Sequence, residues 1–283
     1  MKKFSRCLFL AAGWVPVCLP LGLIAQYPVE TPGRTVPMAT ASADSVRLAP
    51  SPLRVVANRA FQVGERLDYI VRYKMIVAGT SRLSVPEIVD VNGSSCYRIL
   101  SEAWSNSFFS TFYKVEDKIQ SCTDVQGMFS HRFEKRLREG RYKSDQYYEF
   151  DQVAHLAKSK KDTLAVPPFI QDVLSAMYFV RTQSLAPGDT VLVDNHSDGK
   201  VYPLRIVVHR REKINTRAGK FNCLVVEPFL RTPALFLQKG RVVVYLTDDH
   251  RKIPALMTSQ IYVKKLNVGN IIVELEKMSG VVP

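Results

Sequence analysis

Val166-Pro167-Pro168-Phe169-Ile170-Gln171-Asp172-Val173-Leu174-Ser175-Ala176-Met177-Tyr178-Phe179-Val180-Arg181 is the clearest helical pattern in the chain. Ile170, Val173, Leu174, Met177 and Val180 recur at the spacing that places side chains on one face of a helix. The prolines suit the approach to a helix or its first turn, where a missing N–H costs little. Asp172 sits where the N-terminal dipole favours a negative charge, and Arg181 where the C-terminal end favours a positive one. Nine residues separate them, too far for an i,i+4 pair, so each is expected to anchor one helix end to the sheet. Nearly everything on either side reads as short strands. One apolar helix among many strands predicts a mainly β fold: an antiparallel curved sheet or partly open barrel wrapped on one central α-helix.

The strands follow from alternation and turn chemistry. Leu67, Tyr69, Val71 and Tyr73 alternate with Arg66, Asp68, Ile70 and Arg72, a half-buried strand. Ala78-Gly79 marks a turn or bulge before a second strand over 81–90. Asn92-Gly93 then gives a hairpin, because this pair tolerates positive φ. Further strands are expected over 95–103, 129–138, 142–151 and 153–157. Past the helix they are expected over 190–195, 201–213, 221–227, 240–247, 253–264 and 269–277. Pro203 places its strand at an edge or a bulge. No parallel βαβ alternation and no convincing internal repeat is present.

The N-terminus carries an address. Met1-Lys2-Lys3-Phe4-Ser5-Arg6 is basic, and Cys7 to Ala25 is apolar and broken by Pro16 and Pro20. Residues 1–25 therefore read as a secretory signal peptide; the rival, a retained anchor, is disfavoured by the prolines and the small terminal residue. Val17 before Cys18 argues against lipidation there. Residues 26–59, rich in Pro, Thr, Ser and Ala, read as a flexible tether, and 60–280 as a single β-rich domain. No later segment is apolar over the length of a bilayer span, so no transmembrane segment is expected after signal cleavage.

Losing Lys2, Lys3 and Arg6 would lower the formal charge of the 283-residue chain from +13 to +10. A basic exported protein favours anionic lipid or glycolipid surfaces, and export makes nucleic acid a poor partner. Cys96, Cys122 and Cys223 remain, an odd number. Cys96 and Cys122 lie in successive strands and could pair, but three small buried side chains is the preferred reading.

Several segments act together as a signature. They are Phe61-x-x-Gly64-Glu65-x-Leu67-x-Tyr69, Ala78-Gly79, and Pro168-x-x-Gln171-Asp172-x-Leu174-Ser175-Ala176-x-Tyr178-x-x-Arg181. Gly219-Lys220-Phe221, Pro228, Leu246-Thr247-Asp248-Asp249, Ile253-Pro254 and Val268-Gly269 complete the set. Over about residues 60–277 the chain resembles the uncharacterised family known as domain of unknown function 3108, exported bacterial envelope proteins. The resemblance implies an all-β periplasmic fold containing a helix, and supplies no catalytic residues.

Signals for chemistry are thin. Asp248-Asp249-His250 offers three metal-capable side chains, but neighbours on an extended chain diverge and no HxxxH or CxxC spacing adds ligands; no metal and no cofactor is expected. Asp194-Asn195-His196-Ser197-Asp198-Gly199 reads as a second polar turn. Ser175 lacks a nucleophile elbow. The aromatic side chains are the better candidates: Tyr69, Tyr73, Phe112, Tyr113, Tyr148 and Tyr178 are the candidate lining of a cleft between sheet and helix, with an ordinary core as the preferred alternative use of the aromatics. The preferred function is non-enzymatic: binding or carriage of an apolar or amphipathic envelope component. A scaffolding protein that contacts another envelope protein is the alternative. A hydrolase acting on an envelope polymer, using Asp172, Asp249 and His250, would need those side chains to converge.

Overall fold

The computed structural model describes residues 54–230, 241–263 and 266–283. The expected signal peptide and most of the expected tether (residues 1–53) lie outside the described residues. The fold is one antiparallel sheet of fourteen strands in the order β8-β7-β6-β5-β4-β3-β2-β1-β14-β13-β12-β11-β10-β9. One half runs outward from the centre as β1 (Arg66–Tyr73), β2 (Ile76–Val91), β3 (Ser94–Ser105), β4 (Glu116–Asp124), β5 (Ser130–Glu139), β6 (Tyr142–Asp151), β7 (Leu156–Lys158) and β8 (Thr163–Ala165). The other half comprises β9 (Thr190–Ser197), β10 (Lys200–Thr216), β11 (Gly219–Leu230), β12 (Val242–Thr247), β13 (Pro254–Val263) and β14 (Leu266–Ser279). First and last strands pair, Arg66 opposite Ser279, so both ends of the domain meet at the sheet centre. A four-residue helix, α1 (Ser107–Ser110), interrupts the first half, and α2 (Val173–Thr182) joins the two edges. Among the described residues, no helix is long and apolar enough to cross a membrane.

That edge-to-edge connection forces curvature. Laid flat, fourteen strands would span roughly 60 Å at about 4.8 Å per gap. Yet Gln171, six residues beyond the end of β8, forms a parallel bridge with Asn195 of β9. Six residues reach at most about 20 Å, so the sheet must curl until its edges approach each other. Tyr148 and Phe150 of β6 meet His196 of β9 edge-on, and Lys135 of β5 pairs with Asp198 at 2.5 Å, completing the closure.

The helix fills the space between the halves. Ile170, Leu174 and Tyr178 join a core with Leu67, Tyr69, Leu83, Ile99, Ile119 and Phe133. From the other side of α2, Ala176 and Val180 join Leu185, Val193, Ile206, Val208 and Leu224. Burial on two sides explains why small residues such as Ala176 sit between the large ones. Asp172 is the N-cap and closes a capping box with Ser175.

Three buried polar clusters fix the arrangement. Arg181 donates through both terminal nitrogens to Glu65 at 2.7 Å, and further to the carbonyls of Ala60 and Arg251. Asp172 accepts from Leu174 N and Ser175 N on one oxygen and from the Ser121 and Ser130 hydroxyls on the other. Burial pushes its pKa up while these four donors pull it down. Asp117 of β4 and Glu139 of β5 form a carboxyl pair, and Asp117 also accepts Arg138 N at 2.7 Å.

The structure adjusts several sequence expectations. Residues 54–59, assigned to the tether, are docked: Arg54 donates to the carbonyls of Gly127 and Met128, and Val56 N to Gln126 O. Chain reversal occurs at Lys74-Met75, before Gly79, and Lys74 takes φ 54°. Ala78-Gly79 is the bulge of the two expected alternatives: β2 shifts register there, Val71 facing Gly79 and Arg72 facing Val77, and a Cβ on Gly79 would stand 2.0 Å from the Trp104 carbonyl oxygen. Pro203 lies on the second strand from the edge, paired with Asp194 of the edge strand β9. Cys96, Cys122 and Cys223 are buried and free.

Two predictions follow from the buried charges. Arg181→Met strands the Glu65 carboxylate in the core and should cost about 3–5 kcal/mol in urea denaturation. Combining it with Glu65→Leu should recover much of that loss, since an apolar pair escapes the desolvation penalty. The carboxyl pair gives a pH signature. Burial raises Asp117 to about 6, and burial with the Asp117 charge raises Glu139 to about 8. The folded state holds these protons more tightly than the unfolded chain, so their contribution is lost as pH rises from the usual carboxylate range through the folded values. Glu139→Gln should therefore raise Tm above wild type at about pH 9, with the gap shrinking at about pH 5. An identical gap at both pH values would remove the dyad assignment.

Candidate functional site

The six aromatic side chains expected to share a cleft occupy separate places. Tyr69 and Tyr178 are core residues beside the Glu65–Arg181 pair; Tyr178 donates to Glu65 and stands edge-on to Phe61 at 4.7 Å. The Arg181 guanidinium lies 4.8 Å from the Tyr178 ring centre. Burial raises both phenols. Tyr148 is half-buried against His196, 4.4 Å between ring centres. Tyr73, Phe112 and Tyr113 lie at the far end of β1 and in the β3–β4 connection. Strand geometry explains the separation: Tyr69 and Tyr73, four positions apart on β1, stand about 13 Å apart along the strand.

The hydrolase combination does not assemble. Asp172 caps the N-terminus of α2. Asp249 lies in the β12–β13 turn, accepting from Thr247 Oγ1, Arg251 N and Lys252 N, while the Arg251 carbonyl receives Arg181 from the helix C-terminus. A ten-residue helix, about 15 Å long, separates these ends. Among the described residues no group of three or more His, Cys, Asp or Glu is placed to hold a metal ion.

Two features escaped the sequence reading. The first is the seam where the edges close. Gln171, Asn195 and His196 are buried, and Tyr202 faces Asn195 in register. Gln171 Oε1, both side-chain polar atoms of Asn195, both ring nitrogens of His196 and the Tyr202 hydroxyl have no hydrogen-bond partner. Burial, reinforced by Lys135 and opposed by Asp198, lowers the His196 pKa to about 4, so its imidazole is neutral near pH 7.

The second feature is an apolar end. At the β1–β2 turn Met75 is 92% exposed, with Ile76 and Val77 also exposed. The neighbouring β3–β4 connection exposes Phe108 (62%) and Phe112 (66%), whose rings meet edge-on at 5.4 Å. Asn106 ties the two segments together. Its backbone N donates to Ala78 O at 2.9 Å and its side-chain amide to Val77 O at 2.7 Å, while its Oδ1 caps α1 by accepting from Phe109 N. The close approach at Gly79 lets these backbones meet. The β5–β6 turn reaches the same end, since Gly140 N donates to Lys114 O and Val115 bridges Glu139. Tyr113 lies against Gly140, and Tyr142 is exposed beside it. Lys74, Lys114, Arg141 and Lys143 are exposed around this end. Lys114 pairs with Glu116 at 2.9 Å.

One solved structure among those that this chain resembles shares its architecture. A crystal structure described as a β-barrel-like protein of domain of unknown function DUF1849 from Brucella abortus matches with a TM-score of 0.50 at 12% identity, covering 80% of this chain and 98% of that one. A "putative lipoprotein" from Parabacteroides distasonis matches at 11% identity with a TM-score of 0.36, covering 80% and 99%. A "putative exported protein" with a YmcC-like fold from Bacteroides fragilis matches at 14% identity with a TM-score of 0.33, again covering 80% and 99%. No curated protein sequence matches significantly. A family described as "Protein of unknown function (DUF3108)" matches residues 68–275, nearly the whole described domain, and the chain belongs to that family.

Proposed function

We propose that this chain is an exported envelope protein whose role is to bind an apolar or amphipathic envelope component, without catalysis, at the end formed by the β1–β2 turn and the β3–β4 connection. The signal-like sequence of residues 1–25 supports export. The observation that carries the binding role is the exposure of Met75, Ile76, Val77, Phe108 and Phe112 on two segments fastened side by side. Scattered apolar residues on a surface are ordinary, whereas a contiguous group marks a contact site. The side chains first expected to do this work have other uses: Tyr69 and Tyr178 are occupied in the core, while Phe112 alone among the six is strongly exposed.

Trp104 reports on the site. It precedes the 105–115 segment and is the sole tryptophan once residues 1–25 are removed, Trp14 being the other. Titration of the mature protein with lysophosphatidylcholine should change Trp104 emission saturably. Phe108→Ser combined with Phe112→Ser should weaken that binding by about tenfold or more, because roughly a few kcal/mol of apolar burial is removed. A protein that ignores this amphiphile as monomer and as micelle would overturn the proposed role.

A further inference from the structure

We infer that the partner of this end is an anionic lipid bilayer, on which the domain docks with the β1–β2 turn and the 106–115 segment inserted among the headgroups. The inference rests on the proposed amphiphile-binding role and adds what is bound and in which orientation.

Shape is the first reason. Pockets that enclose a single ligand are concave, with apolar walls facing one another. Met75, Phe108 and Phe112 instead project from a strand turn and from a one-turn helix with its flanking residue, and their exposure is that of protruding points. Such points suit an interface where apolar tips enter the boundary of the acyl region by about 5–10 Å.

Charge is the second reason. Lys74, Arg141 and Lys143 are exposed at this end and have no carboxylate partner within ion-pair distance among the described residues. The nearby acids are committed elsewhere. Glu116 holds Lys114, Asp145 holds Arg138, and Asp117 and Glu139 share a buried contact with each other. The unpaired charge beside the apolar tips is therefore positive. Protein–protein interfaces are depleted in lysine at their centres, whereas lysine and arginine beside inserted apolar groups complement anionic headgroups. Tyr142, exposed at the start of β6 between Arg141 and Lys143, adds an amphipathic ring suited to headgroup depth.

The test is co-flotation of the mature protein with vesicles of phosphatidylcholine alone or mixed with phosphatidylglycerol. Binding should be at least about tenfold stronger to the anionic vesicles and should fall with added salt. Lys74→Ser/Arg141→Ser/Lys143→Ser should remove the anionic preference while weakening lysophosphatidylcholine binding much less than the loss of the apolar tips does. Met75→Ser/Phe112→Ser should weaken both. A control triple variant on the β10–β11 face, Arg205→Ser/Lys213→Ser/Lys220→Ser, separates a docking end from the pull of overall charge and should leave flotation unchanged. Equal loss in both triple variants, or equal binding to both vesicle types, would overturn the bilayer assignment while amphiphile binding survived. Loss of binding to micelles and vesicles alike in the unmodified protein would overturn the underlying role as well.

Discussion

The Glu65–Arg181 pair is the constraint on which the rest of the fold depends. An ion pair with both side chains fully buried carries a desolvation cost that its mutual attraction offsets only when the geometry is good and every remaining donor is used. The geometry is good, and four of the five guanidinium N–H groups have an acceptor: two meet the carboxylate oxygens and two reach the carbonyls of Ala60 and Arg251, while Phe61 and Tyr178 present ring faces to the cation. Attraction to Glu65 outweighs burial and raises the Arg181 pKa, so the charge persists throughout the accessible pH range. Because Glu65 directly precedes β1, and β1 pairs with β14 at the sheet centre, the bond pins the C-terminal end of α2 to the middle of the sheet. Asp172 pins the other end to β4 and β5. With both ends held, the two halves of the sheet can only wrap the helix from opposite sides.

Wrapping brings the sheet edges together, and the seam between them is less fully satisfied than the two helix anchors. Asn195 and His196 meet Gln171 and Tyr148 with several polar atoms unpaired, while Asp172, the residue after Gln171, uses both oxygens twice. An unpaired buried polar group costs about 1–3 kcal/mol, so the seam is where this barrel-like sheet should open first. The Lys135–Asp198 pair and the packing of Tyr148 and Phe150 on His196 oppose that opening.

Much of this architecture was legible because it is local. The alternation of Leu67, Tyr69 and Val71, the Asn92-Gly93 turn and the helical spacing from Ile170 to Val180 each follow from a short window of sequence. The site was less legible, for two physical reasons. Ala78-Gly79, read as a turn or bulge, is a bulge whose glycine allows a close backbone approach to Trp104, whereas the turn itself, at Lys74-Met75, has no Gly, Pro or Asn to mark it and passed unnoticed, and with it the exposure of Met75. Asn195 and His196 share a segment with Asp198 and Gly199 whose composition signals a turn. Only the last residues form it, and the earlier ones are buried by a strand edge that arrives from more than forty positions away. Glu65 and Arg181, 116 positions apart, gave no local sign of meeting.

The distribution of polar and apolar groups along β1 bears on function. Its Glu65 end gathers the buried charges, the N-terminal docking residues and the ends of α2; its Tyr73 end exposes Met75, Phe108 and Phe112. Stability does not require that exposure. A chain that can bury a bidentate ion pair and cap its helix with four donors is not short of means to cover two phenylalanines, and serine at those tips would improve solubility without touching the core. The connection is nevertheless built with care: Asn106 spends its backbone N–H and both side-chain polar atoms on fixing this one segment, Gly79 yields its side chain to it, and the carboxyl pair backs it. Order is thus invested in holding apolar side chains out in solvent, with lysine and arginine exposed beside them.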